Sequence, residues 1–190
     1  VQSAGAAAVG FGDWGLNRQE FYQGVSDSGR SGARVMAADV AWARSEADGS
    51  VAFGDHDFER LNARMQWRSD GAQTDVFAGY QTKFFGWPNL YTPFNSNETE
   101  RLQTTLFLLN HRARSAGNDF WEAGVWHRRN KDDYAFNRFA PLGFVHPFQH
   151  TTWAEGAAMN GRREIGTLTL NFRAEVAADE LKSTSLTAGN

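Results

Sequence analysis

Cysteine is absent from this 190-residue chain. That excludes disulfide bonds and fits an exported bacterial protein that does without them. Proline is scarce, and all four residues (Pro88, Pro93, Pro141, Pro147) fall in the stretches 86–98 and 130–148. No sheet ladder needs their missing N–H there. No run of 18 apolar residues occurs, which excludes a membrane-crossing helix. The negative mean hydropathy, −0.54, leaves a transmembrane barrel open, because its lumen and loops are polar. Positive charge is not in excess: the net charge of −3 argues against a nucleic-acid partner. The chain has no glycine-rich phosphate loop and no nucleophile–base motif, so it is not read as an enzyme. Nor does any window hold the three-to-four-residue spacing of an amphipathic helix.

What the chain has is alternation. From Gly166 to Glu180, Leu168, Leu170, Phe172, Ala174, Val176 and Ala178 occupy one parity, and Thr167, Thr169, Asn171, Arg173, Glu175 and Asp179 the other. Side chains alternate sides along a strand, so one face is apolar and the opposite face is polar. The pattern recurs upstream: Leu61, Ala63, Met65 and Trp67 alternate with Asn62, Arg64, Gln66 and Arg68, and Met36, Ala38, Val40 and Trp42 form a similar set. Long strands with this contrast suit a barrel wall between lipid and a wet interior. Aromatic residues reach 14%, and Trp42, Trp67, Trp126 and Trp153 lie in strand-like segments where interfacial girdles would place them.

Walking the chain predicts nine strands, at 4–13, 17–26, 33–44, 58–68, 73–86, 99–113, 119–130, 149–160 and 165–181. The first two meet at the bend Gly12–Gly15. Short polar connectors are read at 26–32, 69–72, 115–118 and 160–163, and longer ones at 45–57, 86–98 and 130–148. Short turns alternating with long loops is the outer-membrane pattern. Nine antiparallel strands leave two open edges, and single-chain bacterial barrels have even strand counts. The fold class expected is therefore all-β: an antiparallel up-and-down meander, about nine strands of a larger, partial transmembrane β-barrel. Leu168, Leu170, Phe172, Val176, Met65 and Trp67 are expected on the lipid side, with Asn62, Arg64, Asn171, Arg173 and Glu175 on the concave side. Arg64, Arg68, Arg112, Arg128 and Arg173 are read as lumenal, pairing with carboxylates across strands.

The segments Gly54-Asp-His-Asp-Phe-Glu-Arg-Leu-Asn-Ala-Arg64 and Phe77-Ala-Gly-Tyr-Gln-Thr-Lys-Phe-Phe-Gly-Trp-Pro-Asn-Leu-Tyr-Thr-Pro-Phe94 carry a further signal. With Gly12–Gln19 and Ala178–Ser185, they resemble the early barrel of TonB-dependent outer-membrane receptors, in a flavour similar to the vitamin B12 (cobalamin) receptor branch. The resemblance spans nearly the whole chain, residues 1–190. It implies the N-terminal part of the barrel, with the plug and the remaining strands outside this sequence. It also implies a Gram-negative outer membrane, lipid and the TonB complex (through the plug) as partners, and uptake of a scarce ligand such as cobalamin or an iron chelate.

Candidate sites follow. Trp87, Tyr91 and Phe94 sit in the Pro-containing stretch, where they either stack on a planar ligand or pack against their own loop. Asp48, Asp55 and Asp57 share one long connection, and loop carboxylates can hold calcium through oxygen. The resembled receptor uses acidic loop residues this way, although the spacing is not that of an EF-hand; a solvated acidic loop is the plainer reading. No other cofactor is expected. His146 and His150 are four apart, but Pro147 and the strand pattern deny the helix that would align them. Asn97-Glu-Thr99 matches a glycosylation acceptor, which has no meaning in a bacterial outer membrane. Two other function classes stand beside the receptor: a self-sufficient porin-like barrel, and a soluble β-sandwich protein or enzyme.

Overall fold

The computed structural model describes residues 3–28, 34–115, 117–140 and 147–184. It contains nine strands: β1 (Ala4–Phe11), β2 (Asn17–Ser28), β3 (Arg34–Ala47), β4 (His56–Ser69), β5 (Ala72–Gly86), β6 (Thr99–Arg114), β7 (Phe120–Ala135), β8 (Phe148–Ile165) and β9 (Leu168–Ser183). They form one sheet in sequence order, every neighbour antiparallel, and the sheet is not closed into a barrel. The expected meander is what is found. No helix among the described residues is long and apolar enough to cross a membrane.

One connector differs from the sequence reading. Asn160-Gly-Arg-Arg163 is not a turn but lies inside β8, and the turn is Gly166-Thr167. Gly161 serves packing instead of reversal: a Cβ there would run into the Phe172 ring of the next strand. Gly166 is the residue that reverses the chain, with φ at 61°. The long connections are also shorter than expected, because the ladders reach Ala47, Gly86 and Ala135.

The register fixes which residues share a face. One row reads Val25, Ala38, Met65, Val76, Leu109, Val125, Ala157 and Val176 across β2 to β9. The adjacent row on the other face reads Ser26, Ala37, Gln66, Asp75, Asn110, Gly124, Ala158 and Glu175. Leu168, Leu170, Phe172, Val176, Met65 and Trp67 therefore share one face, and Asn62, Arg64, Asn171, Arg173 and Glu175 the other. Curvature follows from crowding. Leu61, Met65, Tyr80, Phe107 and Val125 are exposed on the apolar face, while Asn62, Gln66, Asp75 and Asn110 opposite are half-buried. On the polar face a single hollow is lined by residues from Val35 of β3 to Glu122 of β7. Only a sheet curled toward that face brings such distant strands to one hollow, so the apolar face is convex.

Among the described residues the only buried apolar side chains are Ala37 and Ala154. The sheet has no conventional core. Its apolar band lies outward, and the band is bounded. One register row on the convex face carries Phe21, Trp42, Leu61 and Tyr80 on β2 to β5 toward one end, and continues through Thr105 and Arg129 to Trp153 on β8. Trp67, Trp121 and Phe172 stand on the same face toward the other end. The loopward edge of the band is uneven: the first charged residue above it is Glu59 on β4, Arg101 on β6, two residues higher, and Glu155 on β8, four residues lower than Glu59.

Candidate functional site

Up-and-down strands send every second connection to the same end. The bend at 12–16 and the described segments 48–55, 87–98 and 136–140 share one rim, and the turns at 70–71 and 166–167 share the other. Side chains tie the rim loops together. Asp55, ahead of β4, receives a two-pronged ion pair from Arg138, beyond β7; its Nη2 arm measures 3.0 Å. The paired guanidinium holds the Asp55 carboxyl below the usual carboxylate range and pushes Arg138 up. Arg138 N also donates to Asn97 O (3.0 Å), and Gly86 N to Asp55 O (2.8 Å). A Cβ at Gly86 would meet Phe53 O and the Asp55–Arg138 pair, so only glycine lets the three loops close here. Phe53 and Phe139 meet edge-on at 5.1 Å beside this clasp.

Segment 87–98 is organised by Glu98, which is 0% exposed. Its carboxylate accepts from Tyr91 N (2.8 Å), Thr92 N (3.1 Å) and Thr92 Oγ1 (2.5 Å). Asn89 Oδ1 accepts from Ser96 N, and Trp87 N donates to Glu98 O. A carboxylate taking several donors closes a loop much as a turn would, because unpaired buried N–H groups are costly.

The sequence-selected aromatics separate by role. Trp87 is 59%, Tyr91 63% and Phe94 71% exposed. The Tyr91 ring stands out, but its hydroxyl is tucked onto Glu100 Oε2 (2.9 Å). Burial of that end, and then the carboxylate, pushes its pKa up to about 12. Tyr91 meets Tyr134 edge-on at 5.5 Å; Tyr134 stacks with Phe148 at 6.0 Å and Phe148 with His150 at 6.4 Å. The last three share the concave face. Phe94 meets Phe136 at 6.4 Å. The result is an aromatic ladder from the rim into the concavity, a surface on which planar groups can stack.

Asp48, Asp55 and Asp57 do not converge. Asp48 N bonds Trp14 O (2.8 Å) at the first bend, Asp55 is clasped by Arg138, and Asp57 pairs with Arg44 (3.1 Å). No group of three or more metal-ligating side chains forms among the described residues. His150 lies in β8, and His146 is outside the described residues.

The five arginines read as lumenal all lie on the polar face. Arg64 pairs with Asp39 across strands (3.3 Å) and Arg173 with Glu175 on its own strand (2.7 Å). Arg112 instead lies 4.5 Å over the Phe120 ring, while Glu122 opposite accepts from Asn110 (2.8 Å).

Glu98, Glu100, Tyr134, Arg138 and Phe148 escaped the sequence reading. Glu98 sat inside Asn97-Glu-Thr99, where only a glycosylation pattern was seen; the donors at Tyr91 and Thr92 give no local periodic signal. No family model matches the chain, and no curated protein matches its sequence.

Proposed function

We propose that this chain forms part of the wall and the ligand-facing rim of an outer-membrane barrel. In the manner of TonB-dependent receptors, it would serve uptake of a large, scarce ligand such as cobalamin or a metal chelate. The observation that carries the membrane part is the exposed apolar band on the convex face, with large aromatic side chains toward both ends and a polar concave face behind it. A soluble sandwich would lay a second sheet over such a face, yet all nine strands belong to one sheet and the face is exposed. The receptor part rests on the resemblance and on the rim, where linked loops and the aromatic ladder guard the concavity.

The porin-like alternative fits less well. β1 and β9 both run toward the loop rim, so closing them on each other would need a parallel pair. Further strands running the opposite way would cap both edges and remove their aggregation hazard.

The test uses the full-length protein in the outer membrane. Replacing 86–98 by a short Gly-Ser linker should abolish binding of cobalamin or the metal chelate while insertion, read by surface protease accessibility, persists. Binding unchanged without that loop would remove the ligand role of the rim. Failure of the intact protein to enter vesicles would remove the wall role.

A further inference from the structure

We propose that the convex face carries a seat for one acyl chain of an anionic phospholipid, in a trough over β7, β8 and β9; this rests on the membrane reading above. A plain wall needs only an even apolar covering, but here the covering is interrupted. A hollow of about 550 Å³ is lined chiefly by Leu109, Trp121, Val125, Ala157, Ala174 and Val176. Its floor is low because the register rows Ala123–Met159–Ala174 and Val125–Ala157–Val176 place alanine on adjacent strands. Loopward, the trough ends at His127 and Glu155, whose side chains meet at 3.3 Å. Turnward, it runs into a second hollow of about 380 Å³ that shares Trp121 and Met159 and reaches Ser115 and Arg163.

The two ends differ in chemistry, and that difference selects the occupant. The long part is apolar and of a size used for small-molecule sites, about 300–1,000 Å³. The turnward end offers a hydroxyl and a guanidinium. Arg163 is 62% exposed and meets Asp119 only through Nε, at 3.4 Å, while its neighbour Arg162 is tied to Glu164. Guanidinium groups match phosphate oxygens in geometry and charge. Asp119 and Glu164 oppose an anion there, so the seat depends on the apolar trough as well as on Arg163. A free oxyanion would gain nothing from the trough, whereas a bilayer lipid of this leaflet brings chain and phosphate together.

The protein carrying this chain is inserted into phosphatidylcholine vesicles doped with phosphatidylglycerol, extracted in mild detergent, and weighed intact by native mass spectrometry. The wild type should retain one phosphatidylglycerol. Ala157→Phe fills the floor and should lower retention about tenfold, as losing cover over two methylenes would. Ala63→Phe, on the same face outside the trough, should leave it unchanged. Arg163→Gln, at an exposed position that does not threaten folding, should erase the preference for phosphatidylglycerol over phosphatidylcholine. The proposal is overturned if the inserted wild type keeps no lipid, if Ala157→Phe keeps as much as the wild type, or if Ala63→Phe loses as much. It is also overturned if Arg163→Gln keeps the preference, a result that decides the matter even where Ala157→Phe fails to fold. Failure to insert at all would count against the membrane reading; insertion without retained lipid counts against the seat alone.

Discussion

The wall of this sheet and its loop rim are stabilised by different interactions. In the wall, β3 to β8 contribute long backbone ladders, but among the described residues only Ala37 and Ala154 are buried apolar side chains. Most large apolar groups there point outward, so hydrophobic stabilisation appears only when something apolar covers the convex face. At the rim the reverse holds. Glu98 is fully buried, and the Asp55–Arg138 clasp, the Phe53–Phe139 contact and the Glu98 hydrogen bonds join loops distant in sequence. On the membrane reading proposed above, the wall would be stabilised by lipid, while the rim is tied by its own side-chain contacts.

The sharpest way to break that contrast is to charge the wall. Met65→Arg, in the middle of the band, should cost roughly 2–4 kcal/mol of folding free energy in a bilayer. Gln66→Arg, one residue away on the polar face, should change it by less than about 0.5 kcal/mol. Denaturant titration of folding into vesicles measures both, and equal costs would mean the convex face does not meet lipid. Next in size, Glu98→Ala strands the Tyr91 and Thr92 N–H groups and should destabilise the rim by about 1–3 kcal/mol. Hydrogen exchange should then rise across 87–98 and stay unchanged in β3 to β5. A wall that loosened too would show the two regions to be one cooperative unit.

A smaller effect is expected at the clasp. Asp55→Asn removes the charge opposite Arg138 in a partly exposed setting, worth about 1–2 kcal/mol. Because the folded state lowers the Asp55 pKa, it binds fewer protons there than the unfolded chain does. The clasp therefore contributes fully above the ordinary carboxylate range and loses its contribution as the pH falls through the lowered value. Protection factors of the amides in 48–55, corrected for the intrinsic pH dependence of exchange, should fall on acidification in the wild type and stay constant in Asp55→Asn. The mildest change is Tyr91→Phe, which loses one hydrogen bond to Glu100 and should cost about 0.5–1 kcal/mol, confined to loop 87–98. That variant keeps the ring, so any loss of ligand stacking would have to come from loop position.

The alternation of Leu168, Leu170, Phe172 and Val176 against Asn171, Arg173 and Glu175 is a period-two signal carried by adjacent residues. It set strand existence, strand number and facing, and these agree with the register except at Trp126, which shares the parity of Arg128 and lies on the polar face instead of in a girdle. Connections were legible where prolines clustered and misread where glycine was ambiguous. Gly161 looked like a turn former, yet it makes room for Phe172, which only the pairing of β8 with β9 reveals. The rim was half legible: Tyr91 and Phe94 stood out as loop aromatics, but their partners Tyr134 and Phe136 lie about forty residues on, across a neighbouring connection.

By itself, then, the sequence determined an open meander with one apolar and one polar face, because side-chain parity is inherited from the backbone and needs no distant partner. The tertiary structure alone decided that Asp48, Asp55 and Asp57 part company, that Glu98 closes its loop, and that Asp55 meets Arg138 from 83 residues away. Each of those contacts depends on registers summed over several ladders and on how far the sheet curls. Neither quantity is encoded in any single strand.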